Sequence, residues 1–129
     1  MDIDASIYVE RGHAFNAADM PIINISLGEA DYSNQDKSQA DGGYNYYIDC
    51  HVSAKSTDSQ DGSTIAALKL HKLMGVCRAI LENPAYKTLG IAAPSISSKA
   101  ITSMKFQDPL REDSSSTAMG RLVLNVRVV

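Results

Sequence analysis

Most of what would announce a chemistry is missing from this sequence. No stretch approaches the apolar length needed to cross a bilayer, and the opening Met1-Asp2-Ile3-Asp4-Ala5 has neither the basic start nor the apolar run of a secretory signal. A chain that is made and kept in solution is expected. The only two cysteines, Cys50 and Cys77, are too far apart for a zinc knuckle or a CxxC pair and too few for the disulfide framework of a small secreted domain. A reducing cytoplasm is the default compartment. Excess positive charge is missing as well: 12 Lys and Arg against 15 Asp and Glu give a net charge of −3 and a pI near 5.5. That balance argues against the salt-sensitive phosphate binding that dominates non-specific nucleic-acid recognition. Neither GxGxxG nor GxSxG occurs, nor GxxxxGK followed by Ser or Thr, so phosphate-cradling loops and nucleophile elbows have no support.

What remains is an ordinary globular composition, 44% hydrophobic and 21% charged over 129 residues, which fits one domain spanning 1–129 around one core. Residues 6–10 and 21–27 are rich in β-branched and aromatic side chains, with Ile23, Ile25 and Leu27 at period two, and read as strands joined by a loop around Gly12 and Asn16. Residues 28–43 hold almost no apolar side chain to offset the entropy of ordering them, so a long mobile loop is expected there. Next, Tyr44, Tyr46, Ile48, Cys50, Val52 and Ala54 alternate with Asn45, Tyr47, Asp49, His51 and Ser53, the clearest strand in the chain.

After a polar turn, Ser63 or Thr64 is placed to cap a helix whose stripe is Ala66, Leu70, Leu73, Cys77 and Ile80; it runs to about Asn83, before Pro84. Lys69, His71, Lys72, Arg78 and Glu82 take its other faces. Residues 86–93 form an ambiguous short apolar piece. Residues 100–107 and 118–129 read as two more strands, separated by a second polar, mobile loop at 108–117. In the last strand Leu122, Leu124, Val126 and Val128 alternate with Arg121, Val123, Asn125 and Arg127, so two cations share the outer face. The order predicts an α+β fold, a mainly antiparallel sheet with one long amphipathic helix packed on one face.

Each candidate for chemistry has a plainer reading. Cys50 or Cys77 with His13, His51 or His71 would make a nucleophile and base, but both cysteines lie on apolar phases, where the usual cysteine is an inert core residue. Asp49 beside His51 is the one close pair of metal-ligating types, and no His/Cys spacing matches a ligand pattern. Glu29, Asp31, Asp36 and Asp41 sit in the expected loop, whose backbone would not fix a catalytic separation. Arg121 and Arg127 are either solvated strand charges or part of an interface or lumen lining in an oligomer. No catalytic residue, cofactor or metal site is therefore assigned.

Taken as a run, Ile7-Tyr8-Val9-Glu10-Arg11-Gly12-His13-Ala14-Phe15-Asn16-Ala17-Ala18-Asp19-Met20-Pro21-Ile22-Ile23-Asn24-Ile25-Ser26-Leu27 resembles the first half of the tail terminator of lambda-like phages, also called minor tail protein U. In that family an aromatic strand leads to a charged glycine turn, and an Ala-Asp-aromatic-or-Met-Pro step enters an apolar strand. A Gly-Ala-Glu-Tyr-like run then opens a long loop. Ala18-Asp19-Met20-Pro21 and Gly28-Glu29-Ala30-Asp31-Tyr32 stand at those places. A weaker likeness continues through strand 44–54, the single helix, the spacer near Leu89 and Ile91, and the strands around Phe106 and Leu122. The family usually begins with a helix before the first strand. Here the strand starts almost at Met1, so that helix is expected to be absent or trimmed.

The resemblance implies a structural subunit, not an enzyme, that forms a hexameric ring on the tail tube, stops tube growth and presents a surface to the head. Its implied partners are further copies of itself, the tail tube protein and the head–tail connector, first in the host cytoplasm and then in the virion. DNA would pass through the lumen without being specifically bound. Arg121 or Arg127 is then expected at the lumen or subunit interface, and Glu29, Asp31 and Tyr32 of the acidic loop at the tube or connector. Competing readings are another neck or tail-completion ring protein, a small cysteine hydrolase, and a binding module using Tyr44, Tyr46 and Tyr47.

Overall fold

The structure, a computed structural model, describes residues 5–10, 20–31, 42–57, 61–83, 96–107, 110–112 and 115–128. Its elements are β1 (Ser6–Val9), β2 (Ile22–Asp31), β3 (Gly42–Lys55), α1 (Gly62–Glu82), β4 (Ile96–Phe106), β5 (Leu110–Glu112) and β6 (Ser115–Val128). They form a six-stranded sheet in the order β1-β2-β3-β6-β4, with β5 also pairing β6. All ladders are antiparallel except β1 on β2. The fold is α+β, with α1 packed on one face of the sheet, as the alternation and the helical stripe predict.

The long pairing of β3 with β6 organises the molecule, running from Gly42 opposite Val128 to Lys55 opposite Ser115. Facing residues of an antiparallel pair share a side of the sheet. Ile48, Cys50, Val52 and Ala54 therefore join Ala118, Leu122, Leu124 and Val126 in one apolar surface. Ala66, Leu70, Leu73, Met74 and Cys77 of α1 close over it. Leu70 and Leu122 are at most 1% exposed, and burial of each contributes about 2 kcal/mol. Tyr44 and Tyr46 pack against the rim of this core, so two of the three tyrosines weighed for a binding module have a packing role. At its centre Gly120 lets the helix come close: a Cβ built there would overlap Met74 Sδ and lie 2.9 Å from Met74 Cε.

Several boundaries differ from the sequence reading. The strands run into segments expected to be loop: β2 continues through Glu29, Ala30 and Asp31, paired with Asn45, Tyr44 and Gly43. In the second expected loop, 108–117, Leu110, Arg111 and Glu112 pair with Thr117, Ser116 and Ser115. Backbone hydrogen bonds suffice for such pairing, so the polar composition did not forbid it. Residues 32–41 of the first loop lie outside the described residues, as do the expected loop around Gly12 and Asn16 and the apolar piece at 86–93. β4 begins at Ile96, earlier than the expected residue 100.

The helix starts before the expected caps, with Asp61 at the N-cap; Gly62 N–H donates to Ser56 Oγ (2.9 Å), and Ser63 Oγ–H donates to the Asp61 carboxylate. Ile80, expected in the buried stripe, is 40% exposed, and Met74 takes the central place with no exposure. The reason is where α1 lies. It packs on β3 and β6 with lighter contact to β4, where His71 stacks on Phe106 (4.4 Å between ring centroids). The β1–β2 side is left less covered. A groove of about 340 Å³ opens there between the C-terminal half of the helix and the sheet, lined by Ile7, Ile23, Ile25, Cys77, Ile80 and Leu81 among others.

β1 ends by a local device. Glu10 has φ of 57°, a left-handed conformation that is uncommon for any residue but glycine, and it turns the chain off the ladder. Its N–H donates to Ile25 O (2.8 Å) while its own carboxylate accepts from Leu27 N–H (2.6 Å), serving as acceptor where the strand has stopped.

Candidate functional site

The face of the sheet away from α1 carries the polar phases of the strands, and the register lines their residues up in cross-strand rows. In the first, Asn24, Asp49, Arg121 and Lys105 sit opposite one another on β2, β3, β6 and β4. Arg121 Nε and Nη2 donate to the two oxygens of Asp49 at 2.7 and 3.0 Å, a bidentate pair joining residues 72 apart in sequence. Asp49 is 8% exposed, so this is a largely desolvated carboxylate held by a fork of two charge-assisted bonds. Donating to the Asp49 carboxylate also raises the Arg121 pKa above the usual guanidinium value, so the cation is permanent. The Arg121 guanidinium carbon lies 4.2 Å from the centre of the Tyr47 ring, adding a cation–π contact.

Tyr47 in turn closes over Gly28. A Cβ at Gly28 would overlap the ring at Cε2 and Cζ, so glycine is the residue that lets the tyrosine lie flat on β2. Gly28 sits where the β2–β3 register shifts between Leu27 and Glu29, a bulge that accommodates the extra residue. Gly28, Tyr47, Asp49 and Arg121 thus form one connected cluster across β2, β3 and β6. Farther along the face, Asn125 Nδ2 donates to Asn45 Oδ1 (2.9 Å).

The residues singled out from sequence fare differently. Arg121 is not a free solvated charge, because Asp49 and Tyr47 engage it. Arg127 is exposed at the far end of β6, opposite Gly43; its guanidinium carbon is 4.0 Å from where a Gly43 Cβ would be, so it reaches across the glycine. On the other side of Gly43 the facing residue is Asp31, and Glu29 faces Asn45. Arg127 and the acidic positions of β2 therefore occupy the same end of the sheet, two strands apart, or about 10 Å. Tyr32 lies outside the described residues. Sequence reading missed Tyr47, Asp49 and Gly28 as a unit with Arg121. Their polar phase was visible, but which strand faced which was not.

The catalytic alternatives do not assemble around these residues. Cys50 and His51 are consecutive in β3 and point to opposite faces, and His71 is stacked on Phe106; His13 lies outside the described residues. Among the described residues no three His, Cys, Asp or Glu side chains cluster as metal ligands would. No helix among them is long and apolar enough to cross a membrane. What the polar face offers is an internally satisfied ion pair under an aromatic ring, with an amide pair farther along.

His51 adds a pH response to this face. Burial lowers its pKa below the ordinary 6.5, with nearby Asp49 opposing the shift. Since the folded state holds the proton less tightly than the unfolded chain, stability is full above about pH 6.5 and falls as pH drops toward the lowered folded value. Thermal melts between pH 7.5 and 5 should show Tm declining below about pH 6.5, and His51→Gln should flatten that decline.

No protein-family model matches this chain, and no curated protein matches it in sequence.

Proposed function

We propose that the chain is a structural subunit of a tailed phage that assembles head to tail into a hexameric ring. The ring caps the tail tube, ends its growth and forms the surface that joins the head. The observation that carries the reading is the unlikeness of the two sheet margins. Among the described residues no strand pairs with the outer edge of β1 or of β4. The β1 margin exposes apolar side chains, with Ile7 at 64% and Val9 at 71%, beside the groove; the β4 margin carries Lys99, Lys105 and the Phe106–His71 stack. A ring that closes by rotation needs two different surfaces on each subunit that match one another. The resemblance of residues 7–27 to the lambda-like tail terminator supplies the tail-tube context.

In this reading the subunit waits in the host cytoplasm and enters the virion on meeting the tube. Its partners are the tube protein, the connector and its own copies, with DNA crossing the lumen. Arg127, exposed and at the same end of the sheet as the β2 acidic positions, is the interface cation. Light scattering across a wide concentration range with negative-stain imaging, repeated with polymerising tube protein, tests it. Rings with an axial hole, or tubes arrested at a fixed length, are expected. A protein that stays monomeric and leaves tube length unchanged would sink the proposal, and rings that bind only a connector would move it to another ring of the neck.

The arginine has its own test. Arg127→Glu should leave Tm within about 2 °C of the parent, as surface changes do, yet lower ring formation at least tenfold. Unchanged assembly would remove Arg127 from the interface.

A further inference from the structure

The two margins of the sheet match each other in direction, backbone and face. β1 runs parallel to β2, while β2 on β3, β3 on β6 and β6 on β4 are antiparallel, so β4 runs opposite to β1. Along β1, Ser6 N–H donates to Pro21 O and Glu10 N–H to Ile25 O, both toward β2. Strand residues turn their N–H and C=O groups alternately to either side, so the backbone of Ile7 and Val9 points outward. At the other margin Gln107 N–H donates to Met119 O of β6, and by the same alternation the backbone of Met104 and Phe106 points outward. No described strand takes up either row. All four side chains lie on the helix side of the sheet. Ile7 lines the groove and Val9 faces Ile25, which also lines it; Met104 and Phe106 stand opposite Leu122 and Gly120, both under α1.

From this match we infer that a second copy of the chain docks its β4 against β1 as an added antiparallel strand, carrying the sheet from subunit to subunit. The inference rests on the ring reading above and names its joint. Phe106 faces Ile7 of the next copy at the mouth of the groove, and Met104 faces Val9. Each is a pair whose residues exchange both N–H···O bonds, so the joint holds four main-chain hydrogen bonds under an apolar cover. Ile7, Val9 and Phe106 are exposed in the single chain, and the joint covers all three.

Charge selects unlike margins. β1 and β2, with the Glu10 that ends β1, carry Glu10, Glu29 and Asp31 and no Lys or Arg; β4 carries Lys99 and Lys105 and no Asp or Glu. Two β4 margins together would set lysines against lysines, and two β1 margins carboxylates against carboxylates. Only β4 on β1 brings opposite signs together. β1 also lacks the lysine, proline or bulge that commonly guards an exposed edge. Its four residues span about 13 Å, small beside the roughly 800 Å² per partner that a stable pair buries. One joint is therefore weak, and closing a ring, in which every copy holds two, is what makes it last.

Cross-linking tests the joint. Ile7→Cys and Phe106→Cys, made singly in the full-length chain and mixed at high concentration under a mild oxidant, should give a dimer bridged from residue 7 to residue 106, because facing Cα atoms of such a pair are about 5.5 Å apart. Either variant alone, or the unaltered chain, should give at least tenfold less. Val9→Lys needs no new thiol: a charge set into the exposed edge should leave Tm within about 2 °C and lower oligomer formation at least tenfold. Bridges of residue 7 to 7 or 106 to 106 that match the mixed one, or rings that form without a 7–106 bridge and are unchanged in Val9→Lys, overturn the joint and leave the terminator reading standing. A 7–106 bridge in open filaments that do not arrest the tube upholds the joint and removes the terminator. Absence of any bridge or oligomer overturns both.

Discussion

Gly120→Val should lower the stability of the fold by about 3 kcal/mol and its Tm by about 10 °C, the largest loss expected from adding three carbons anywhere on the sheet. Gly120 lies under the middle of α1, where even one Cβ overlaps Met74 Sδ and comes within 3.1 Å of Lys105 O. Met74 is fully buried, so it has nowhere to swing, and Lys105 O belongs to the β4 backbone. Strain should therefore pass into the helix–sheet spacing. Met74→Ala alone opens a cavity and costs about 3 kcal/mol. Combined with Gly120→Val it removes the atoms that clash, so the double variant should be more stable than the sum of the singles by at least 1 kcal/mol. Urea titration of the four proteins closes the cycle. Strict additivity would mean that the close approach of Gly120 and Met74 is not what holds the helix at its height.

The second large effect concerns Asp49 and Arg121. Arg121→Leu leaves a carboxylate that is 8% exposed without its fork of donors, which costs about 2 kcal/mol. The figure is set below that for a fully buried pair because the Arg121 side chain is 40% exposed. Asp49→Leu removes the partner but leaves a cation that water reaches, and should cost less, about 1 kcal/mol. With both replaced, two apolar side chains face each other across β3 and β6, and stability should return to within about 1 kcal/mol of the parent. The coupling, about 2 kcal/mol, is the quantity to measure; a value near zero would make the bidentate contact ornamental to stability. Tyr47→Leu, by contrast, removes only the cation–π contact and the cover over Gly28, and is expected to cost about 1 kcal/mol.

How much of this was legible in the residues depended on whether a signal was periodic or pairwise. The alternations in β3 and β6 and the stripe Ala66, Leu70, Leu73, Cys77 are periodic, and they placed the core faces and the fold class correctly. The extension of β2 into Gly28-Glu29-Ala30-Asp31 was not visible, because a strand held by its backbone against Gly43, Tyr44 and Asn45 needs no apolar side chain to announce it. β5 escaped for the same reason. The polar cluster was half visible: Asp49 and Arg121 each stood on a polar phase, but joining them required the register of strands 72 residues apart. Gly28 and Gly120 left only the trace that small residues leave. Nothing in a glycine says whether it is there for a turn or for a neighbour's bulk.

The placement of β6 has a consequence for how the chain comes into being. It is the last of the described elements in sequence, yet it lies between β3 and β4 and supplies half of the core surface that α1 covers. As the chain leaves the ribosome, β1, β2, β3 and α1 emerge before the strand that completes their sheet. The underside of the helix, with Leu70, Leu73 and Met74, must wait in water or against a chaperone until Ala118, Leu122, Leu124 and Val126 arrive. Folding is then a closing event rather than a progression, governed by joining segments some 70 residues apart, and such distant pairings are slow to find. The interval between synthesis and closure is when this protein is most exposed to aggregation and proteolysis.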